Sequence, residues 1–275
     1  MLRLLTIPKE IIENRKLVWN LAKNDFKQKF AGSYLGIVWA FVNPIVTVLV
    51  YWFVFSKALN AGTASTKEGI EVPYVLWLIA GLVPWFYFSE VLGTGTNALI
   101  EYNYLVKKVV FKISTLPVVK AISSLFVHMF FIVFSLVLYC CYSYYPTLYT
   151  LQIIYYSFAM FMLVLGMIYA TSAMNVFFRD LGQIINVFLQ IGMWMTPIMW
   201  NIDAMANRIP KIIMTILKLN PMFYVVNGYR DALITGVWFW EHPRLTLYYW
   251  IITMVFLVFG TTIFRKLQNH FADVL

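Results

Sequence analysis

Long runs without any acidic or basic residue constrain this chain more than any other feature. Tyr34 to Phe55 contains no Asp, Glu, Lys or Arg, Val72 to Ile100 contains only Glu90, and Ala121 to Phe178, Leu181 to Ile202 and Leu245 to Phe264 contain none. The hydrocarbon layer of a bilayer is about 30 Å thick and each helical residue rises about 1.5 Å, so about 20 apolar residues make one crossing. The Ala121–Phe178 run is too long for one helix. It divides at Tyr144-Tyr145-Pro146-Thr147, because proline ends a helix and aromatic and polar side chains suit an interface. Spans are therefore expected at about 34–56, 73–97, 117–143, 152–178, 182–200 and 245–264.

Composition agrees with a membrane solvent. With 61% hydrophobic and 12% charged residues, a water-soluble globule would expose large sticky patches. The expected fold class is an all-α integral membrane protein with six transmembrane helices. Residues 1–32 form a cytoplasmic N-terminal interfacial helix and residues 33–275 the transmembrane domain, with an outer stretch at about 201–244.

The basic residues set orientation. Seven precede Tyr34, Lys107, Lys108, Lys112 and Lys120 follow the second span, Arg179 follows the fourth, and Arg265 and Lys266 follow the last; together they are fourteen of the 21. Basic flanks stay in the cytoplasm, so both termini are expected there, in a plasma membrane. The net charge of +9 is then a topology signal, and its spread along the chain does not make a nucleic-acid groove. Asn201 to Arg244 is discordant, with Arg208, Lys211, Lys218, Arg230 and Arg244, but long stretches weigh less in this rule.

The first thirty residues lack a continuous apolar core, so no cleaved signal peptide is expected. Pro8 suits a first helical turn. Ile12, Trp19, Ala22, Phe26 and Phe30 fall on one helical face and Lys16, Asn20, Lys23 and Lys27 on another, which predicts an amphipathic helix in the headgroup plane. In the outer stretch, Pro210, Asn220-Pro221 and Gly228 break the chain into pieces too short to span, which suit re-entrant or interfacial helices.

Catalytic signatures are missing. No GxxxxGK[ST] loop occurs; Gly93-Thr94-Gly95-Thr96 lacks the lysine. His128, His242 and His270 have no metal-ligand spacing, and the adjacent Cys140 and Cys141 do not suggest a disulfide framework. Glu90, about 27 Å along its helix from Val72, is expected near the cytoplasmic interface. No cofactor or metal is expected in this chain, and any work must be supplied by a partner.

A resemblance enters at this point. Asp25-Phe26-Lys27, Tyr34-Leu35-Gly36-Ile37-Val38-Trp39, Asn43-Pro44, Ala80-Gly81-Leu82-Val83-Pro84-Trp85, Leu105-Val106-Lys107-Lys108, Leu116-Pro117, Phe178-Arg179-Asp180, Pro197-Ile198, Asn220-Pro221 and Phe271-Ala272-Asp273-Val274-Leu275 follow one another in the order of a known family. The chain resembles the membrane subunit of ABC type-2 exporters of lipid-linked polysaccharide or teichoic acid. Tyr51-Trp52-Phe53-Val54-Phe55 looks especially like the teichoic-acid branch. It departs from the pattern at Phe111, which Lys112 follows where the family often has proline.

The resemblance implies a homodimer with two copies of a cytoplasmic ABC ATPase subunit, which would hold ATP and magnesium. Asn103 to Lys112, with Tyr104, Lys107 and Lys108, would be a coupling helix; Asp25, Lys27, Arg179 and Asp180 are further expected ATPase-coupling residues. An aromatic surface suits a sugar or polyol-phosphate polymer, and Trp39, Tyr51, Trp52, Trp85, Phe86 and Tyr87 are candidates for the path; an interfacial aromatic belt is the alternative. Arg208, Lys211, Asn220, Pro221 and Arg230 are candidates for an outer gate, where the cations would meet phosphate or acidic sugar; solvated outer charges are the alternative. Two other readings stay open: an ABC exporter of a small amphiphile (drug, peptide or lipid), and a membrane enzyme acting on lipid-linked sugars.

Overall fold

The computed structural model describes residues 6–58, 63–65, 69–107, 112–202 and 210–274. The chain is almost entirely helical, and five of its helical segments are long and apolar enough to cross a membrane: Gly36–Ala58, Tyr74–Thr96, Ile113–Cys141, Leu148–Phe177 and Pro243–His270.

Two helices precede them, α1 (Thr6–Glu13) and α2 (Arg15–Gln28). The break at Asn14 explains a difference from the expected amphipathic face. The seven-residue step from Ile12 to Trp19 does not run along one continuous helix, and Ile12 and Trp19 are exposed. The buried line of α2 is Val18, Ala22 and Asp25, at spacings of four and three, and it packs on α7. Trp19 and Phe26 flank that seam, both against Phe126.

The first long segment contains α3 (Trp39–Trp52) and ends in a π-turn at Phe53–Ala58. A short hairpin that the charge pattern did not predict, β1 (Thr63–Ser65) and β2 (Glu71–Pro73), joins it to α4 (Tyr74–Thr96), with Ala64 opposite Val72. Two single-turn helices follow, α5 (Ala98–Glu101) and α6 (Asn103–Val106). The expected coupling helix is thus a short one over its described part; Lys108 lies outside the described residues. The next long helices are α7 (Leu116–Cys141) and α8 (Gln152–Phe177). The chain breaks between them where Pro146 and its neighbours predict, with Ser143 at φ 65°.

After α8 come α9 (Leu181–Met195), α10 (Lys211–Leu219), α11 (Pro221–Arg230), α12 (Pro243–Leu267) and α13 (Phe271–Val274). Helices α8 and α12 run parallel. At one end Gln152 donates to Val237 O (2.9 Å) and accepts from Phe239 N (2.8 Å); at the other, the rings of Phe177 and Phe271 are 6.1 Å apart. Gly166 and Gly260 let their backbones touch, since a Cβ on either would run into the other helix, the small-residue solution membrane helices use.

Parallel neighbours require the chain between them to travel back. Residues 181–199 do so beside α4: Gly182 lies by Asn97, Gly192 by Trp85, and Tyr74 donates to Met199 O (2.6 Å). The fifth expected span is therefore a helix of only 15 residues, about 22 Å long, extended by irregular backbone. Thr196, Ile198 and Met199 in that extension are buried. The short pieces expected in the outer stretch are α10 and α11, and α11 is wedged among α4, α8 and α12.

Candidate functional site

The end of the bundle that carries α1, α2, α5 and α6 holds a buried charge cluster. Lys120, on the second turn of α7, places its Nζ 2.6 Å from Asp25 Oδ1 on α2 and 2.5 Å from Glu101 Oε2 on α5. The Tyr102 hydroxyl donates to the same Asp25 oxygen at 2.6 Å. Burial, with the bond to the Asp25 carboxylate, pushes the Tyr102 hydroxyl well above the ordinary tyrosine range. Lys120 and Asp25 are each 9% exposed in their side chains, so removing one partner strands the other; such losses cost about 3–5 kcal/mol. Nearby, Lys29 pairs with Glu90, and Ser114 donates to Glu10 (2.5 Å), tying α1 to the start of α7. Glu90 thus lies in the last two turns of α4, at the same end of the bundle as the charge cluster.

The expected coupling residues collect at this same end. Lys27, Tyr104, Lys107, Arg179 and Asp180 are exposed on it. The α8–α9 turn is fixed there by Asn175, which donates to Thr96 O (3.1 Å) and Asn97 Oδ1 (3.0 Å). Asp25 differs from the others: it is turned inward, held by Tyr102 and Lys120.

The six candidate path aromatics divide. Trp39, Phe86 and Tyr87 line a cavity of about 260 Å³ between α3, α4 and α7, together with Asn43, Glu90 and Ser124. Its wall is mixed, joining aromatic rings with the Lys29–Glu90 ion pair, an amide and a hydroxyl. Trp85 faces the other way, into an apolar cavity of about 310 Å³ bounded by α9, the Asn220-Pro221 turn and α12. Tyr51 and Trp52 are half-buried on the far half of α3, with the Lys57 ammonium 5.9 Å from the Trp52 ring.

At the opposite end, Asn220 caps α11 by accepting from Met222 N (3.0 Å) and donates to Thr196 Oγ1 (2.8 Å); Pro221 takes the first helical position. Lys211 is exposed at the start of α10. Arg230 is not a solvated charge. It is 3% exposed, its guanidinium 3.7 Å from the Trp77 ring centre, and it donates to Ile198 O (2.8 Å), clamping the irregular end of the fifth segment. Arg208 lies outside the described residues.

Sequence reasoning passed over Glu101 and Tyr102 and took Lys120 as a flanking charge. His128, whose spacing from the other histidines gave it no metal role, ties elements together: its Nε2 lies 3.0 Å from Tyr229 Oη and 3.3 Å from Ser157 Oγ, joining α7, α11 and α8. Among the described residues, no three His, Cys, Asp or Glu side chains come together as a metal set.

A family model described as ABC-2 type transporter matches residues 16–234. The O-antigen export system permease protein RfbA of Myxococcus xanthus is 26% identical over 276 residues, covering 98% of this chain and 99% of the relative. An RfbA permease of Klebsiella pneumoniae is 26% identical over 259 residues, 93% of each chain.

Proposed function

This chain belongs to the ABC-2 type transporter family, and on that footing we propose that it is the transmembrane subunit of an ATP-driven exporter. The exporter moves a lipid-linked polysaccharide from the cytoplasmic to the outer face of a bacterial plasma membrane. The observation that carries this reading is likeness from end to end, over 98% of this chain, to a permease named for O-antigen export. The mixed aromatic and polar cavity is consistent with it. A polymer of hydroxyls cannot cross hydrocarbon unaided, and rings can meet sugar C–H faces while water and polar side chains meet the hydroxyls.

In this reading the basic end faces the cytoplasm and both termini lie there. Six passes cross the membrane, the fifth being α9 with its irregular extension. Two copies surround the path, and two copies of a separate ATPase subunit, holding ATP and magnesium, dock on the surface bearing Lys27, Tyr104, Lys107, Arg179 and Asp180. Closure of the ATPase pair favours one arrangement of the helices over another, and the difference in docking energy between the two arrangements drives the shift. The gate at the outer end is built on Asn220, Pro221 and the Arg230 clamp. A polyol-phosphate polymer is the second reading, favoured by residues 51–55 and their likeness to the teichoic-acid branch.

The test is co-expression with candidate ABC ATPase subunits from the same organism, followed by purification and depletion in cells. The expected outcome is a complex that hydrolyses ATP, and a lipid-linked glycan that accumulates inside when this chain is depleted. Accumulation of a phosphate-rich polyol chain instead selects the second reading. ATP hydrolysis or glycan modification by this chain alone would overturn both.

A further inference from the structure

A buried lysine in the second turn of an apolar helix needs a reason. Retention of a cytoplasmic flank requires only a positive charge near the membrane surface, and an exposed lysine supplies that. Lys120 is instead buried, with two carboxylates from two other elements on its ammonium. Helix α2 packs on α7, and α5 packs on α7 and α8. Between α2 and the α5–α6 segment, the links are Asp25, Tyr102, Lys120 and Glu101: Tyr102 reaches across to Asp25, and Lys120 holds Asp25 with one N–H and Glu101 with another. An apolar seam there could slide, because dispersion contacts are individually small and non-directional. The buried Lys120–Asp25 pair at 2.6 Å resists sliding, since low dielectric strengthens it and displacement strands a charge, and Glu101 adds a second, half-exposed arm at 2.5 Å.

We propose that Lys120 is a positioning residue for transport: it locks the surface helix α2 and the α5–α6 segment to the foot of α7, so that all three move as one body. The consequence rests on the exporter reading above. A push from the ATPase on Tyr104 or Lys107 then reaches the transmembrane helix α7 and the surface helix together. Without the lock, the ATPase can still dock and turn over, while its motion is lost in the α5–α6 turn.

The experiment uses the purified complex of this chain with its ATPase in vesicles, reading ATP hydrolysis, glycan export and the ratio of the two. The variants are Lys120→Met, Lys120→Arg and Glu101→Gln. Lys120→Met is expected to hydrolyse ATP near the native rate while export per ATP falls about tenfold, the size of an ordinary coupling term. Lys120→Arg keeps a cation able to hold both carboxylates and is expected to restore most of the ratio. Should Lys120→Met fail to assemble, Glu101→Gln decides. Glu101 is 48% exposed, so the variant folds, and it removes only the α5 arm; a ratio lowered several-fold is expected. An unchanged ratio in Glu101→Gln and in assembled Lys120→Met overturns the proposal while leaving the exporter reading intact. Failure of the native chain to bind any ATPase overturns the reading itself.

Discussion

Helices α3 and α4 are neighbours in sequence, similar in length once the ends of the α3 segment are counted, and similarly apolar; they meet opposite fates. In the most apolar stretch of each, 11% of residues are buried in the first segment and 78% in the second. Ala40 and Val48 are the buried residues of α3, whereas α4 touches α7, α8, α9 and α11 and buries Tyr74 through Trp85 without interruption. Hydrophobicity therefore puts a helix in the membrane and does not decide its neighbours. Polar anchors distinguish α4. Tyr74 and Tyr87 donate to carbonyls of other elements, Leu76 O accepts from Tyr139, and Thr96 donates to Thr171. The α3 segment has few such ties and presents Val46, Leu49, Val50 and, in its π-turn, Phe53 outward. A rim helix of this kind is free to meet lipid, a second copy or the polymer path.

The largest test of that contrast pairs one aromatic from each segment. Trp77 on α4 is 6% exposed and supports the Arg230 guanidinium; Phe53, in the π-turn after α3, is 59% exposed. Trp77→Ala is expected to lose about 3–5 kcal/mol, as large aromatic truncations in packed interiors do. Phe53→Ala is expected to change stability by less than about 0.5 kcal/mol in the isolated protomer. Heating in detergent and following the monodisperse fraction measures both. Equal losses would erase the distinction between core and rim.

How much of this was readable beforehand follows the same divide. The ends of α4 and α8 fall within a residue or two of the ranges 73–97 and 152–178, because charges and Pro146 bound those runs whatever surrounds them. Lys27, Tyr104, Lys107, Arg179 and Asp180 are singled out by the family resemblance, not by local spacing, and they are exposed at one end of the bundle. What depends on a distant partner was not legible. Nothing around Lys120 announces Asp25, 95 residues earlier in the chain. The inward turn of Arg230 is set by Trp77 and Ile198, from elements that local spacing cannot bring together. The α2 face was displaced because Asn14 interrupts a periodicity that reads as continuous. The hairpin of Thr63–Ser65 and Glu71–Pro73 is too short to carry an alternating pattern.

A smaller effect separates the possible neighbours of the rim helix. Val50 is 51% exposed on α3. Against lipid or an apolar face of a second copy, Val50→Lys is expected to cost about 2.5–3.5 kcal/mol, the penalty of a lysine at the middle of a spanning helix. With α3 at a dimer contact, less protein reaches the membrane and the remainder elutes as a monomer. Native amounts and an unchanged oligomer would place that face in water, on the polymer's route.

The smallest effect concerns an ion pair that ties the region before α3 to α4. Lys29 and Glu90 are 39% and 35% exposed in their side chains, so water screens both, unlike Lys120 and Asp25. A pair this accessible contributes about 0–1 kcal/mol. Glu90→Gln keeps the shape and an acceptor oxygen, so the thermal midpoint is expected to move within that small range, and less still at high salt, where exposed charges are screened. The same substitution changes the cavity that Trp39, Phe86 and Tyr87 share, since Glu90 lines it as well. Export should therefore respond more than stability does. A stability loss as large as that of Trp77→Ala would mean that the attachment of the α3 region is as rigid as the core, and that the contrast between the two spans is one of exposure alone.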